Sequence, residues 1–303
     1  MATRLLPDKV LGVSLDKSKG FAYQAGQYVR VRVPQISFHE WHPFTLSSAP
    51  GDAHLTLHIK EAGDWTGRLH ELAKEGAAAG KGQEHGATPG VDVMDVMGPM
   101  GSPAKDYTEF SRLLLVSAGI GITPTVSILR DILHRGEEQR AGGNTDACAG
   151  TRGGAVLEQV AVHWVIREHM SVAWFVEQCL GDALAVDATG VLTATVHLTG
   201  RGRESSLSTA LVHAVRGACL ATPGALDPIT DGPAHGSLRI SFGRPDWAAV
   251  LDDTARAVPD SSCKRIGLFF CGPHPVAAQL GNMCLPGAKF EGGVEYSFRP
   301  EHF

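Results

Sequence analysis

The feature that most limits the folds open to this chain is a change of pattern near Tyr107. Before it, short segments alternate apolar with polar residues; after it, apolar runs end in glycine turns and alternate with helix-like stretches. Tyr28-Val29-Arg30-Val31-Arg32-Val33-Pro34 and Leu55-Thr56-Leu57-His58-Ile59-Lys60 put every second side chain on one face, as a half-buried antiparallel strand does. Arg112 to Ser117, Val160 to Ile166, Val191 to Leu198 and Arg265 to Phe270 are instead largely apolar, the pattern of buried strands. Helical patterns over Thr123 to His134, Val172 to Leu180 and about Pro275 to Met283 alternate with them. The reading is an antiparallel β-barrel domain over 1–109 and an α/β domain with a doubly wound parallel sheet over 110–303.

A length of 303 residues is comfortable for two domains. With 43% hydrophobic and 19% charged residues, wholesale disorder is excluded. A net charge of −5 and an isoelectric point near 6.3 give no reason to expect a nucleic-acid partner. They leave open a local cationic pocket for a phosphorylated cofactor. The cysteines at 148, 179, 219, 263, 271 and 284 have irregular spacing and no CxxC, which argues against a disulfide framework or a zinc site and fits a reducing, cytosolic setting. None of the histidines is spaced as HExxH, and His54 and His58 fall on a strand, so no metal site is expected.

No secretory signal is visible at the N-terminus. The longest apolar run, Leu113 to Leu129, is broken by Gly119, Gly121 and Pro124 and falls short of the ~20 residues a membrane helix needs. This chain is therefore not expected to span a membrane. A helix is expected from Asp64 or Thr66, a surface loop over Gly76 to Gly90, and a strand over Val91 to Met97. Two inserts rich in small and polar residues, roughly 136–157 and 216–236, read as loops.

Seven segments carry candidate chemistry. His42-Pro43-Phe44-Thr45-Leu46-Ser47-Ser48-Ala49-Pro50 is either a proline-bounded strand ending in a turn or a strand edge offering amides, hydroxyls and an aromatic face to a flavin. His58-Ile59-Lys60 adds positive charge nearby, although His58 and Lys60 read equally as solvated strand residues. Gly63-Asp64-Trp65-Thr66 opens a helix whose free amides suit a diphosphate.

Ser117-Ala118-Gly119-Ile120-Gly121-Ile122-Thr123-Pro124 is a strand, a tight turn and a helix start, the arrangement of a dinucleotide diphosphate site. It lacks the third glycine of the common dinucleotide pattern, and an ordinary strand-to-helix turn is the competing reading. Arg244, in Gly243-Arg244-Pro245, suits a 2′-phosphate, or is a solvated turn residue. Arg167-Glu168 is ambiguous: the acid suits ribose hydroxyls and the arginine a phosphate. Cys271-Gly272-Pro273 sets a thiol at the end of a strand with no Cys-His catalytic pattern, so a packing residue or a neighbour of a nicotinamide is read in preference to a nucleophile.

Taken in order with Gly26-Gln27-Tyr28, Gly98-Pro99-Met100-Gly101, Leu198-Thr199-Gly200 and Glu301-His302-Phe303, these motifs make the chain resemble one family over nearly its whole length. It is similar to the cytosolic dehydrogenase region of the NADPH oxidase and ferric reductase family, including the plant respiratory burst oxidases. The resemblance implies a two-domain, ferredoxin-NADP reductase-like fold. It implies FAD held by His42, Pro43, Phe44, Thr45, His58, Ile59, Lys60 and Thr66. It implies NADPH at Gly119, Gly121, Thr123, Pro124, Gly272 and Pro273, with Arg244 (Arg167 as the other candidate) on the 2′-phosphate.

The resemblance further sets Cys271, Thr45 and Phe303 at the reacting centre, with Phe303 covering the flavin until nicotinamide displaces it. It departs from the family pattern at Met97, Met100 and His302. The implied electron acceptor is a haem-bearing transmembrane domain or subunit, with superoxide as the product and the cytosolic face of a membrane as the location. No haem-binding helices or calcium-binding loop precede Asp8, so the chain reads either as one domain of a longer protein or as a truncated product. A ferric-chelate reductase input domain and a non-catalytic module that docks on a membrane oxidase are the competing functions.

Overall fold

A computed structural model describes residues 1–79, 91, 93–141, 157–167, 171–172, 191–199, 238–259 and 263–301. The N-terminal unit holds six strands: β1 (Ala2–Leu6), β2 (Val10–Asp16), β3 (Tyr28–Arg32), β4 (His42–Thr45), β5 (His54–Lys60) and β6 (Asp95–Met100). They form two three-stranded antiparallel sheets, ordered β1-β2-β5 and β4-β3-β6, linked by a bridge between Leu46 and Leu57. The alternation seen in the sequence has its cause here. Val29 and Val31 are fully buried while Arg30 between them is exposed. Leu11, Leu57, Val29 and Val31 meet Trp65 and Leu69 of helix α1 (Asp64–Ala79) in one core between the sheets.

The second unit is a six-stranded parallel sheet ordered β10-β9-β8-β7-β11-β12. Its strands are β7 (Arg112–Ala118), β8 (Gln159–Ile166), β9 (Leu192–Leu198), β10 (Leu238–Phe242), β11 (Arg265–Cys271) and β12 (Glu295–Glu301). Along β7 the side chains divide strictly between two cores. Leu113 and Leu115 pack with Val126 and Leu129 of helix α2 (Thr123–Ala141). Leu114 and Val116 pack with Leu251 of α3 (Trp247–Arg256) and Leu280 of α4 (His274–Met283). Cover on both faces is why these strands are apolar throughout.

The chain order β7, β8, β9, β10 runs outward to one side, and β11 returns to the other side of β7. The carboxyl ends of β7 and β11 therefore flank a topological switch point, where open parallel sheets bind ligands. Cys271 is in register with Ser117 across that point.

Three sequence expectations need correction. Helix α1 runs on to Ala79, beyond the expected loop start at Gly76, because its alanines carry no helix penalty. Helix α2 continues to Ala141, so 136–141 are helical and not part of a loop; Glu137, Glu138 and Gln139 are good helix formers. The strand expected over Val91 to Met97 is Asp95–Met100, fixed by its pairing with β3. Most of the helix expected over Val172 to Leu180, residues 142–156 of the first insert and the whole of 216–236 lie outside the described residues.

Candidate cofactor site

Strand β4 places its residues on two faces. His42 pairs opposite Val31 and Phe44 opposite Val29, on the inward side, where both rings meet Trp65. The His42 and Trp65 centroids are 4.3 Å apart and those of Phe44 and Trp65 6.0 Å apart. Pro43 and Thr45 fall on the other face, Thr45 in a row with Tyr28 and Met100. The structure thus gathers His42 and Phe44 beside the N-terminus of α1 and turns Thr45 away from them.

At that helix start, the Thr66 hydroxyl accepts from the amides of Ala62 and Gly63 at 2.9 and 3.0 Å and donates to the Gly63 carbonyl. It shapes the turn from which α1 departs. His58 is 8% exposed, with Nδ1 2.7 Å from the Ser47 hydroxyl. The solvated reading of that histidine is therefore wrong: its ring is buried and hydrogen-bonded to Ser47. Ile59 is wholly buried, its carbonyl facing His70 Nε2 at 3.1 Å, and Lys60 is paired with Asp8 at 2.7 Å.

The nucleotide side is built at the switch point. β7 ends in a 3-10 turn, Gly119–Ile122, that leads directly into α2. Gly119 has φ of +55°, and a β-carbon there would meet nothing within 4 Å. Its backbone conformation suits glycine, and the space beside it is open to a ligand. Trp164 Nε1 donates to the Gly119 carbonyl at 2.8 Å, and the Ser117 and Thr125 hydroxyls bond at 2.9 Å. These contacts hold the turn and the helix start in place. Gly121 and Thr123 are buried, and the Thr123 hydroxyl donates to the Ile120 carbonyl at 3.3 Å.

Across the switch point, Pro124, Cys271 and Glu301 line one small cavity. Cys271 is 4% exposed, and burial, with the Glu301 carboxylate adding, pushes its thiol far above the usual range. It is a neutral thiol, which agrees with the absence of a nucleophile pattern. Gly272 is a packing glycine: a β-carbon would lie 2.9 Å from that of Ala118.

Glu301 was not singled out from the sequence as a site residue. β12 pairs it directly with Cys271; burial raises its carboxyl pKa against a lowering hydrogen bond from Ser102, and its Oε2 is buried without a partner. Only the register of β11 with β12 could have found it. Phe303 and Glu168 lie outside the described residues.

Arg244 and Arg167 are both exposed at the carboxyl edge of the sheet. Arg244 follows the turn at Gly243, φ +93°, after β10, while Arg167 follows β8, two strands nearer the glycine turn. They are separate candidates for one anion.

The two units are joined at Asp52. Arg130 of α2 donates to its carboxylate through Nε and Nη2, both at 2.8 Å, and His134 Nε2 lies 2.7 Å from Oδ1. One turn earlier, the Ser127 hydroxyl donates to the Ser48 carbonyl at 2.6 Å. The turn Ser48-Ala49-Pro50-Gly51-Asp52, at the end of the His42–Pro50 motif, is a connector to the second unit.

Residues 1–104 match the family described as FAD-binding domain, and residues 110–285 match the ferric reductase NAD binding domain. The chain belongs to the ferric reductase family. It is a flavoprotein oxidoreductase module with an FAD-binding and an NAD-binding domain. Respiratory burst oxidase homolog protein A of Solanum tuberosum is 32% identical over 99% of this chain and 33% of its own length. Homolog protein E of Arabidopsis thaliana is 31% identical over 99% of this chain and 33% of its own. This chain thus spans about a third of the curated relatives it matches.

Among solved structures, a ferredoxin NADP+ reductase from Neisseria gonorrhoeae superimposes with a TM-score of 0.53 at 12% identity, over 99% of this chain and 96% of that one. A flavohemoglobin from Malassezia yamatoensis gives 0.53 at 16% identity, over 99% and 58%. At these identities the likeness shows the fold, which is that of the ferredoxin-NADP reductases.

The residues of this ferric-reductase-family chain fit the groups its domains bind. The backbone at Gly119 is open, with room beside it for a diphosphate. Aromatic rings of His42, Phe44 and Trp65 stand beside a helix N-terminus, and the Trp65 indole N–H is buried without a partner.

Proposed function

We propose that this chain takes electrons from NADPH and passes them through FAD to a haem-containing membrane partner or domain, where oxygen is reduced to superoxide. The observation that carries the reading is the meeting, at the switch point, of Pro124 at the start of α2 with Cys271 and Glu301, on a helix fastened to the loop that follows β4. When bound, the cofactors would supply the chemistry, hydride transfer from the dihydronicotinamide to the flavin, whose two electrons would then leave singly with release of a proton.

The protein's part is alignment and shielding. Gly119 and Gly121 admit the diphosphate, Thr123 and Pro124 start the helix behind it, and Arg244, with Arg167 as the alternative, holds the 2′-phosphate. His42, Phe44 and the start of α1 at Thr66 form the wall for FAD, with Pro43, Thr45, His58, Ile59 and Lys60 of β4 and β5 around it. Cys271, a neutral thiol, and the adjoining Gly272-Pro273 border the nicotinamide. Phe303 is the lid over the flavin. The haem partner is supported by relatives named respiratory burst oxidases that are about three times as long as this chain. Among the described residues no helix is long and apolar enough to cross a membrane; the reading assigns the membrane contact to that partner, with this unit on the cytosolic face.

Purified with FAD, the chain should retain flavin and reduce ferricyanide with NADPH. Joined to a haem-bearing domain, it should produce superoxide, read as dismutase-sensitive cytochrome c reduction. Absence of flavin retention and of acceptor reduction would overturn the reading in favour of a non-catalytic docking module. A ferric-chelate reductase is the second reading, favoured by the ferric reductase description of residues 110–285. Ferric-chelate reduction without superoxide by the joined protein would select it.

A further inference from the structure

Helix α2 carries two functions on one element. Its first residue follows the glycine turn, and its face at Ser127, Arg130 and His134 meets the flavin unit. Those three positions recur every three or four residues, which aligns them on one side of a helix. Arg130 lies seven residues after Thr123, or about 10 Å along the axis at 1.5 Å per residue. A displacement at the Arg130 end is therefore carried rigidly to the glycine turn.

On the other side, Asp52 is part of a stiff loop. Its Oδ2 also accepts from the Ala49 amide at 2.8 Å. The Tyr23 hydroxyl donates to the Ala49 carbonyl at 2.6 Å and lies 2.8 Å from the Ser48 hydroxyl. Only Leu46 and Ser47 separate this loop from β4, and the Ser47 amide is tied to the Thr56 carbonyl at 2.9 Å. Gly51 allows the close approach, since a β-carbon there would press on the His134 ring at 3.1 Å. The Gly26 amide adds a further tie, donating to the Ser127 hydroxyl at 3.3 Å.

We propose that Asp52, Arg130 and His134 form a positioning clamp for hydride transfer, holding the glycine turn of the nucleotide site at a fixed offset from the flavin strand β4. The proposal rests on the reading that the two units bind NADPH and FAD. Arg130 and His134 act through α2, and Asp52 through the loop after β4. A bidentate guanidinium–carboxylate pair suits this role because it fixes direction as well as distance. Hydride transfer responds steeply to such placement; a misplacement of about 1 Å can cost on the order of 100-fold in rate.

The test uses the whole 303-residue chain with Arg130→Met, which keeps the apolar stem, and Arg130→Lys, which keeps charge but loses the fork. Stopped-flow flavin reduction at saturating NADPH should slow at least tenfold in Arg130→Met and less in Arg130→Lys. FAD affinity should stay within about threefold of wild type. Scanning calorimetry of the cofactor-free protein should show one cooperative transition in wild type and two in Arg130→Met. A wild-type reduction rate in Arg130→Met, or a single transition that only shifts in temperature, would overturn the clamp. Should Arg130→Met fail to fold, the milder Arg130→Lys decides on the same readouts. A wild-type chain that binds no flavin would instead overturn the cofactor reading, and the positioning role with it.

Discussion

Cys271 and Ser117 face one another in register at the carboxyl ends of parallel strands β11 and β7, although 154 positions separate them in the chain (271 − 117). The pair marks where the sheet changes direction of growth, beside the cavity that Pro124, Cys271 and Glu301 line. Buried at the wall of this cavity, Cys271 loses the reactivity a thiol has in water. Alkylation of the folded protein at pH 7.5 should therefore modify exposed Cys263 before Cys271 or Cys284, as peptide mass spectrometry would read. Early labelling of Cys271 would contradict the burial.

Gly119 should tolerate no side chain without loss of nucleotide binding. Gly119→Ala places a β-carbon at φ of +55°, at a cost of about 1–2 kcal/mol, and points it into the space beside the turn. NADPH affinity should fall roughly tenfold, a cost of about 1.4 kcal/mol, while FAD retention is unchanged. Titration of nucleotide binding by calorimetry checks both.

The two exposed arginines can be separated by their effect on cofactor choice. Arg244→Ala should raise the KM for NADPH about tenfold or more and leave that for NADH unchanged, consistent with loss of a charged hydrogen bond worth about 1.5–3 kcal/mol. If the preference for NADPH survives, the same measurement on Arg167→Ala should show the change.

Acid should destabilise this protein in two windows. His163 and His197 lie 3.0 Å apart on β8 and β9, and burial lowers both to about 4, with the neighbouring imidazole adding at His163. The unfolded chain binds these protons at its ordinary pKa near 6.5, so their contribution is full above that pH and declines between roughly 6.5 and 4. Asp52 follows at lower pH. Burial opposes its ionisation, but hydrogen bonds from Arg130, His134 and the Ala49 amide outweigh it and hold the carboxyl at about 2.

A depressed carboxyl pKa stabilises the fold above the unfolded value near 3.9 and loses that effect as pH falls through the folded value. For Asp52 the loss is about 2 kcal/mol. Urea unfolding measured from pH 8 to 2 should show both declines. His197→Phe should flatten only the upper window, and Asp52→Asn only the lower; an unaltered profile in either variant would contradict its assignment.

Much of the fold was legible because each sheet imposes its own pattern. One-sided burial makes Val29 and Val31 alternate with arginines, and two-sided burial makes Leu113, Leu114, Leu115 and Val116 a continuous apolar run. Turns with positive φ declared themselves at Gly119 and Gly243. Helix ends were less legible. Ala79 and Ala141 close helices in segments whose composition reads equally as loop.

The amino-acid sequence alone determined the two kinds of sheet, the glycine turns and the ferric-reductase family pattern, because these depend on contacts local in the chain and on the period of burial. Tertiary structure alone decided which of the suggestive residues share a site. Strand pairing sets Glu301 beside Cys271, pleating turns His42 and Phe44 away from Thr45, and helix α2 makes the turn Ser48 to Asp52 the joint between the units. Such relationships join residues far apart in the chain, as Cys271 and Ser117 are at 154 positions (271 − 117), and only the closing of the sheets fixes which of them meet.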